Sequence, residues 1–163
     1  MNCEKVPSII ELDSFDGDYF KYEDAVYLVY KQTFENHQFF FDGKPIKHKK
    51  YPIIKDKPGT FWHIISNGSD ETNRIPDLRR YERIAWPAFI LDYCKDNCKD
   101  ILIWKNRRKG KPRIVLWCTK IDYVVILDER TDFCIFWTAY PVTYQHTREK
   151  LLKEYQEYIK NNS

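Results

Sequence analysis

The chain has 163 residues, of which 43% are hydrophobic and 31% charged, with five Gly and eight Pro. That length suits one domain burying roughly two-thirds of the surface its unfolded form exposes, and the composition excludes a disordered tail, a collagen-like fibre and a low-complexity chain. The 27 basic and 24 acidic residues leave +3, an excess too small to mark a nucleic-acid binder by itself.

The placement of charge says more than its sum. Between residues 4 and 24 stand Glu4, Glu11, Asp13, Asp16, Asp18, Glu23 and Asp24 against Lys5 and Lys21. Between Lys105 and Arg113 six of nine residues are basic and none is acidic, enough local charge to hold an anion. The N-terminus lacks a basic stretch followed by an apolar run, and no apolar run approaches the ~18–20 residues of a membrane span. A cytoplasmic protein with no membrane partner is therefore expected. Five cysteines (Cys3, Cys94, Cys98, Cys118, Cys134) are an odd number, expected as reduced, structural thiols.

Tyr22, Ala25, Val26, Val29 and Phe34 recur near the 3.6-residue period and predict a first helix over 22–34. Phe39 to Phe41, Asp42-Gly43 and Lys44 to Ile46 predict a hairpin turning on Asp-Gly. Pro52 and Lys57-Pro58-Gly59 are breakers, after which Thr60 to Ile65 is either a short strand or a first helical turn. Ser66 to Asn73 is a polar loop. A helix is expected from Pro76 at its first position through Ile84, with a break near Trp86-Pro87 and resumption to Tyr93.

Ile101 to Trp104, Ile114 to Cys118, Val124 to Leu127 and Phe133 to Tyr140 predict four strands with short connections, hence an antiparallel meander. Thr143 to Lys160 is a closing helix with Leu151, Leu152, Tyr155 and Ile159 as its apolar stripe. The expectation is one α+β domain over 1–163: an N-terminal helical part on a four-stranded antiparallel sheet, closed by a C-terminal helix.

Phosphate-loop, dinucleotide and nucleophile-elbow motifs are absent from the sequence. Cys94 and Cys98 lack a second Cys or His pair at finger spacing, so the sequence predicts neither metal nor cofactor. His63, amid Phe61, Trp62, Ile64 and Ile65, is either a buried hydrogen-bonded ring or one held at a site. Arg79, Arg80 and Arg83 fall at about 0°, 100° and 40° on a helix. They form either a solvated face, with Glu82 partly neutralising it, or a phosphate cradle of guanidinium forks. Thr138 and Tyr140, two apart on a strand, share a face with Phe136 and can line a pocket or a polar rim. Lys105, Arg107, Arg108, Lys109, Lys111 and Arg113 surround a hairpin turn that can lie along a phosphate backbone or simply be solvated.

Taken together, Phe61-Trp62-His63-Ile64, the run from Arg74 to Pro87 (RIPDLRRYERIAWP), and strands ending in Trp137-Thr138-Ala139-Tyr140-Pro141-Val142 resemble the phage- and toxin-associated branch of the barnase–EndoU–colicin–RelE nuclease superfamily. The resemblance spans about two-thirds of the chain, with 61–163 as the nuclease-like core and 1–60 as an accessory helix and hairpin. It implies metal-independent endoribonuclease activity through 2′-OH attack to a 2′,3′-cyclic phosphate, as in a toxin or phage-defence effector. It implies catalytic roles for His63, Arg83, Thr138 and Tyr140, with His146 as a further histidine that aligns to no motif. Arg79, Arg80, Lys105, Arg107, Arg108, Lys109 and Lys111 are the expected RNA-binding residues. The implied partners are RNA, tRNA included, and a cognate inhibitor or antitoxin. The alternative is a non-catalytic RNA-binding or protein-interaction module of the same fold.

Overall fold

The computed structural model describes residues 5–70 and 72–163; Cys3 and Glu4 lie outside the described residues. After a 3₁₀ turn at Leu12–Phe15, helix α1 (Tyr19–Tyr30) starts at Asp18, whose carboxylate accepts from the Lys21 N–H, and it runs on as a π-helical turn at Lys31–Glu35. Strands β1 (Phe39–Phe41) and β2 (Lys44–His48) form the Asp-Gly hairpin, with Asp42 and Gly43 both at positive φ as a type I′ turn demands. Helix α2 (Gly59–Ile65) leads into the short pair β3 (Ser66–Asn67) and β4 (Ile75–Pro76). Pro76 thus belongs to a strand, and the next helix, α3 (Leu78–Glu82), is capped by Asp77, whose side chain accepts from the Arg79 N–H.

Helix α4 (Trp86–Phe89), a π-helical turn at Ile90–Cys94 and α5 (Lys95–Asn97) follow without interruption. The chain then enters β5 (Ile101–Arg108), β6 (Lys111–Cys118), β7 (Tyr123–Glu129) and β8 (Cys134–Pro141), and ends on α6 (Gln145–Asn161).

The sequence points to a four-stranded antiparallel meander; the structure corrects this to a six-stranded mixed sheet of order β1-β2-β8-β7-β6-β5. Strands β5 to β8 do run antiparallel, but β2 adds to β8 in parallel, Ile46 opposite Cys134 and His48 opposite Phe136. A parallel pair needs a long crossover, and here it spans everything from α2 to β7. Nothing local in either strand announces such a partner.

Alternation along β6 and β7 sends side chains to both faces, which is why these strands read as continuously apolar. Ile114, Leu116, Val125 and Leu127 join Tyr22, Val26, Phe61, Tyr81 and Leu91 under the helical layer. Val115, Trp117, Val124 and Ile126 form a second core with Trp104 beneath α6. The α6 stripe differs from the expected one. Leu151 is buried with Tyr155 and Tyr158 packed beside it, whereas Leu152 and Ile159 are exposed. Arg148 grips Asp122 with both guanidinium nitrogens and ties the start of α6 to the β6–β7 turn. Among the described residues no helix is long and apolar enough to cross a membrane.

Candidate active site

His63 is carried by α2, whose start is fixed by backbone. The Gly59 and Thr60 N–H groups donate to the Lys50 and Lys49 carbonyls, both at 2.9 Å. A Cβ on Gly59 would sit 2.5 Å from the Tyr51 carbonyl oxygen, so only glycine permits this approach. Thr60 Oγ1 accepts from the Lys49 N–H at 2.5 Å and reaches towards the Phe136 carbonyl, binding α2 to β8. His63 is half-buried, with its ring centroid 5.1 Å from that of Trp137 on β8.

Trp137 owes its position to a β-bulge. Ile126 pairs with Thr138 but Leu127 pairs with Phe136, so Trp137 is the extra residue in β8. Thr138 and Tyr140 therefore share a face, opposite Ile126 and Val124. Phe136, expected on that face, instead enters the helical-layer core. Cations surround the Trp137 ring: the Arg113 guanidinium lies 4.1 Å and the Lys49 ammonium 5.6 Å from its centroid.

A cleft of about 210 Å³ opens at this point, lined by His63, Arg74, Arg108, Arg113, Trp137 and Thr138, with Lys109 at the hairpin tip. The cations have different commitments. Arg74 is a clamp: its guanidinium donates to Ser66 Oγ and to the carbonyls of His63, Ser66 and Gly68 at 2.6–2.9 Å, holding the turn after α2. Arg113 pairs with Asp128 at 3.1 Å, its side chain 7% and that of Asp128 1% exposed, and burial lowers the guanidinium pKa against the opposing pull of that carboxylate. Arg108 is half-buried and hydrogen-bonded to the Tyr140 side chain. Burial raises the Tyr140 phenol pKa, and Arg108 and Arg80 oppose that rise.

A second groove of about 360 Å³ adjoins, lined by Asn67, Asp77, Arg79, Arg80, Tyr140 and Tyr144 among others. Arg80 bridges the two grooves. It donates to the Ser66 carbonyl at 2.7 Å, approaches Thr138 Oγ1 at 3.5 Å and lies 5.4 Å from the Tyr140 ring centroid. Burial is the main influence lowering its pKa, with Asp77 opposing it. Arg79 is exposed and pairs with Glu82. His146 is exposed and stacks on Tyr144.

His63, Thr138, Arg108 and Lys109 thus meet in one cleft, and Tyr140, Arg80 and Arg79 line the neighbouring one. Arg83 lines neither: it donates to Glu82 and to the Arg79 carbonyl, both at 3.1 Å, and stacks 5.1 Å from the Trp86 ring. Lys105 pairs with Glu129 at 2.8 Å, which raises its pKa, and faces a different groove with Trp104 and Tyr158. Arg107 folds back onto the Gly110 carbonyl, and Lys111 is exposed.

Arg74 and Trp137 enter the sequence reading only as parts of longer motifs, and Arg113 only as one of the cations around the hairpin turn. Arg113 and Asp128 had a usable signal. Each is the charge that directly bounds an apolar run, and antiparallel pairing sets them opposite one another. Trp137 had none, because the bulge that turns it into the cleft leaves no local mark.

Comparisons with protein-family models, with curated proteins and with solved structures return no match for this chain.

Proposed function

We propose that the His63 cleft cleaves RNA by attack of a ribose 2′-OH on the adjacent phosphate, leaving a 2′,3′-cyclic phosphate. One observation carries this reading: His63 and Thr138, drawn from a helix and a strand remote in sequence, line one cleft with Arg108, Lys109 and Arg113. His63 takes the 2′-OH proton as the O2′–P bond forms, the general-base role that histidine fills most often among side chains. The P–O5′ bond breaks, and the leaving oxygen takes a proton from water at the cleft mouth. Arg108 and Lys109 face the charge developing on phosphorus. Thr138 and Tyr140 orient the phosphate, the phenol being steadied by Arg108 and Arg80. A toxin or phage-defence role, with tRNA as a substrate and a cognate inhibitor covering the cations, fits within this proposal.

A non-catalytic RNA-binding module is the second reading. It is favoured by Arg74, whose donors are occupied by carbonyls of the 63–68 turn and so serve the scaffold.

Incubation with total RNA and with tRNA in excess EDTA separates the two, with folding followed by circular dichroism in the same samples. Cleavage to cyclic-phosphate ends is expected, and His63→Ala should lose roughly 10²- to 10⁴-fold in rate with little change in Tm. A folded protein that binds but leaves RNA intact, or a His63→Ala variant with wild-type rate, overturns the enzyme reading.

A further inference from the structure

At the far end of β6, on the sheet face opposite the cleft, three cysteines converge. Cys94 closes the π-helical turn Ile90–Cys94, and Cys98 follows α5 four residues later. The Cys98 N–H donates to the Cys94 carbonyl at 3.0 Å, which keeps both side chains on one side of the helix. Cys118 ends β6, paired with Ile101 of β5 and Tyr123 of β7. The three sulfurs lie within 4.8 Å of one another, and Cys94, Cys98 and Cys118 are 0%, 6% and 0% exposed.

We propose that Cys94, Cys98 and Cys118 form a structural site for a thiophilic divalent cation, zinc above all. The first support is spacing. At a Zn–S bond of about 2.3 Å, two sulfurs on a tetrahedral ion stand about 3.8 Å apart, and Cys98 Sγ and Cys118 Sγ are 3.9 Å apart. The C-x₃-C interval from Cys94 to Cys98 lies within the range of zinc-ligating pairs.

The second support is the surroundings of the Cys118 sulfur. The Cys118 sulfur accepts first from the Cys94 thiol, and also from the backbone N–H groups of Lys120 and Ile121, two and three residues further on. A neutral thiol is a weak acceptor that makes little use of two donors, whereas a metal-bound thiolate is stabilised by such outer hydrogen bonds. The chain next to Cys118 is held by Thr119, whose N–H and hydroxyl both donate to the Asp100 carbonyl at 2.9 Å. Three protein sulfurs leave one tetrahedral position for a fourth donor. Burial shields the cluster from bulk water, and its place where the helical layer meets β6 fits a site that ties the two together.

Cys98 takes part in a disulfide in this structure, and a metal requires it as thiolate. A thiol or phosphine reductant supplies the two electrons and two protons that convert the disulfide to two thiols, and Cys94, Cys98 and Cys118 then each give up a proton as the metal binds. The sequence expectation of no metal looked for a second close-spaced pair, and the third ligand comes instead from a strand end.

The test uses the full chain, purified with a phosphine reductant and without chelator from zinc-supplemented cells. About one equivalent of zinc is expected by elemental analysis. Cobalt added to reduced, metal-free protein should give the intense visible bands and sulfur-to-metal charge transfer of a tetrahedral thiolate site. Cys118→Ser should abolish that spectrum, whereas Cys134→Ser, at a sulfur buried elsewhere in the core, should keep it. Because Cys118→Ser can misfold, the wild-type chain carries a second readout: zinc should raise its Tm after reduction and leave it unchanged while Cys98 stays oxidised. Reduced, folded protein without zinc, a cobalt spectrum lacking the thiolate bands, or equal loss in Cys134→Ser overturns the proposal. None of these readouts depends on RNA cleavage.

Discussion

Asp128→Asn removes one charge from a pair that water barely reaches. Arg113 Nη1 lies 3.1 Å from Asp128 Oδ2, which also accepts from the half-exposed Arg130 at 2.8 Å. At 3.1 Å and an effective dielectric of ~20, two unit charges attract by about 5 kcal/mol. Breaking a buried pair from one side costs about 3–5 kcal/mol, because the remaining charge stays desolvated. Asparagine keeps an acceptor oxygen in place, and Arg113 keeps its contact with the Trp137 ring, so the lower end applies, about 3 kcal/mol. For a chain of this size each kcal/mol moves Tm by roughly 2–4 °C, which predicts a fall of about 6–12 °C and a matching drop in the urea midpoint. The double variant Arg113→Met/Asp128→Leu removes both charges and should regain most of that stability, yet it should lose RNA cleavage by emptying the cleft of a cation. An Asp128→Asn protein within about 1 kcal/mol of wild type, or a double variant no more stable than the single one, refutes this account of the pair.

Two further outcomes test the frame around the cleft. Gly59→Ala places a methyl 2.5 Å from the Tyr51 carbonyl oxygen and 2.8 Å from its carbon; neither atom belongs to a flexible side chain, so urea unfolding should show a loss of about 1–3 kcal/mol, and wild-type stability would mean that this backbone yields freely. Lys109→Glu/Lys111→Glu should weaken RNA binding for all sequences alike and reduce the slope of log affinity against log salt by about 2, since each phosphate contact releases a counterion; an affinity unchanged from low to high salt counts against the basic hairpin as the contact.

What the sequence discloses here is what local physics controls. The Asp-Gly hairpin is legible because two consecutive residues at positive φ admit few alternatives. The core strands are legible because runs such as Val124 to Leu127 and Ile114 to Cys118 can be buried only between two layers. Pairing beyond neighbours is another matter. The addition of β2 to β8 joins Ile46 to Cys134 across more than half of the chain, and either strand could have formed an edge. The α3 region shows the same limit at smaller scale. A helix starting at Pro76 would have made Arg83 a member of a continuous cationic face, but capping at Asp77 and termination after Glu82 leave five residues. Arg83 then sits past the helix end, held by Glu82 and Trp86, and Arg80 is the arginine that reaches Thr138 and Tyr140.

The bulge in β8 shows how one residue decides what a cleft can do. In a regular strand Thr138 and Tyr140 would share their face with Phe136, and Trp137 would face the opposite core. With Trp137 as the extra residue, Phe136 turns into the helical layer while Trp137 and Thr138 both reach the side where His63 and Arg113 stand. The indole is then braced by Arg113, and Arg113 by Asp128. The braced ring forms a wall against which the His63 imidazole is placed. Bulges commonly re-aim side chains in this way at functional sites. Such a position resists inference from alternation alone, since alternation is the rule that the bulge suspends.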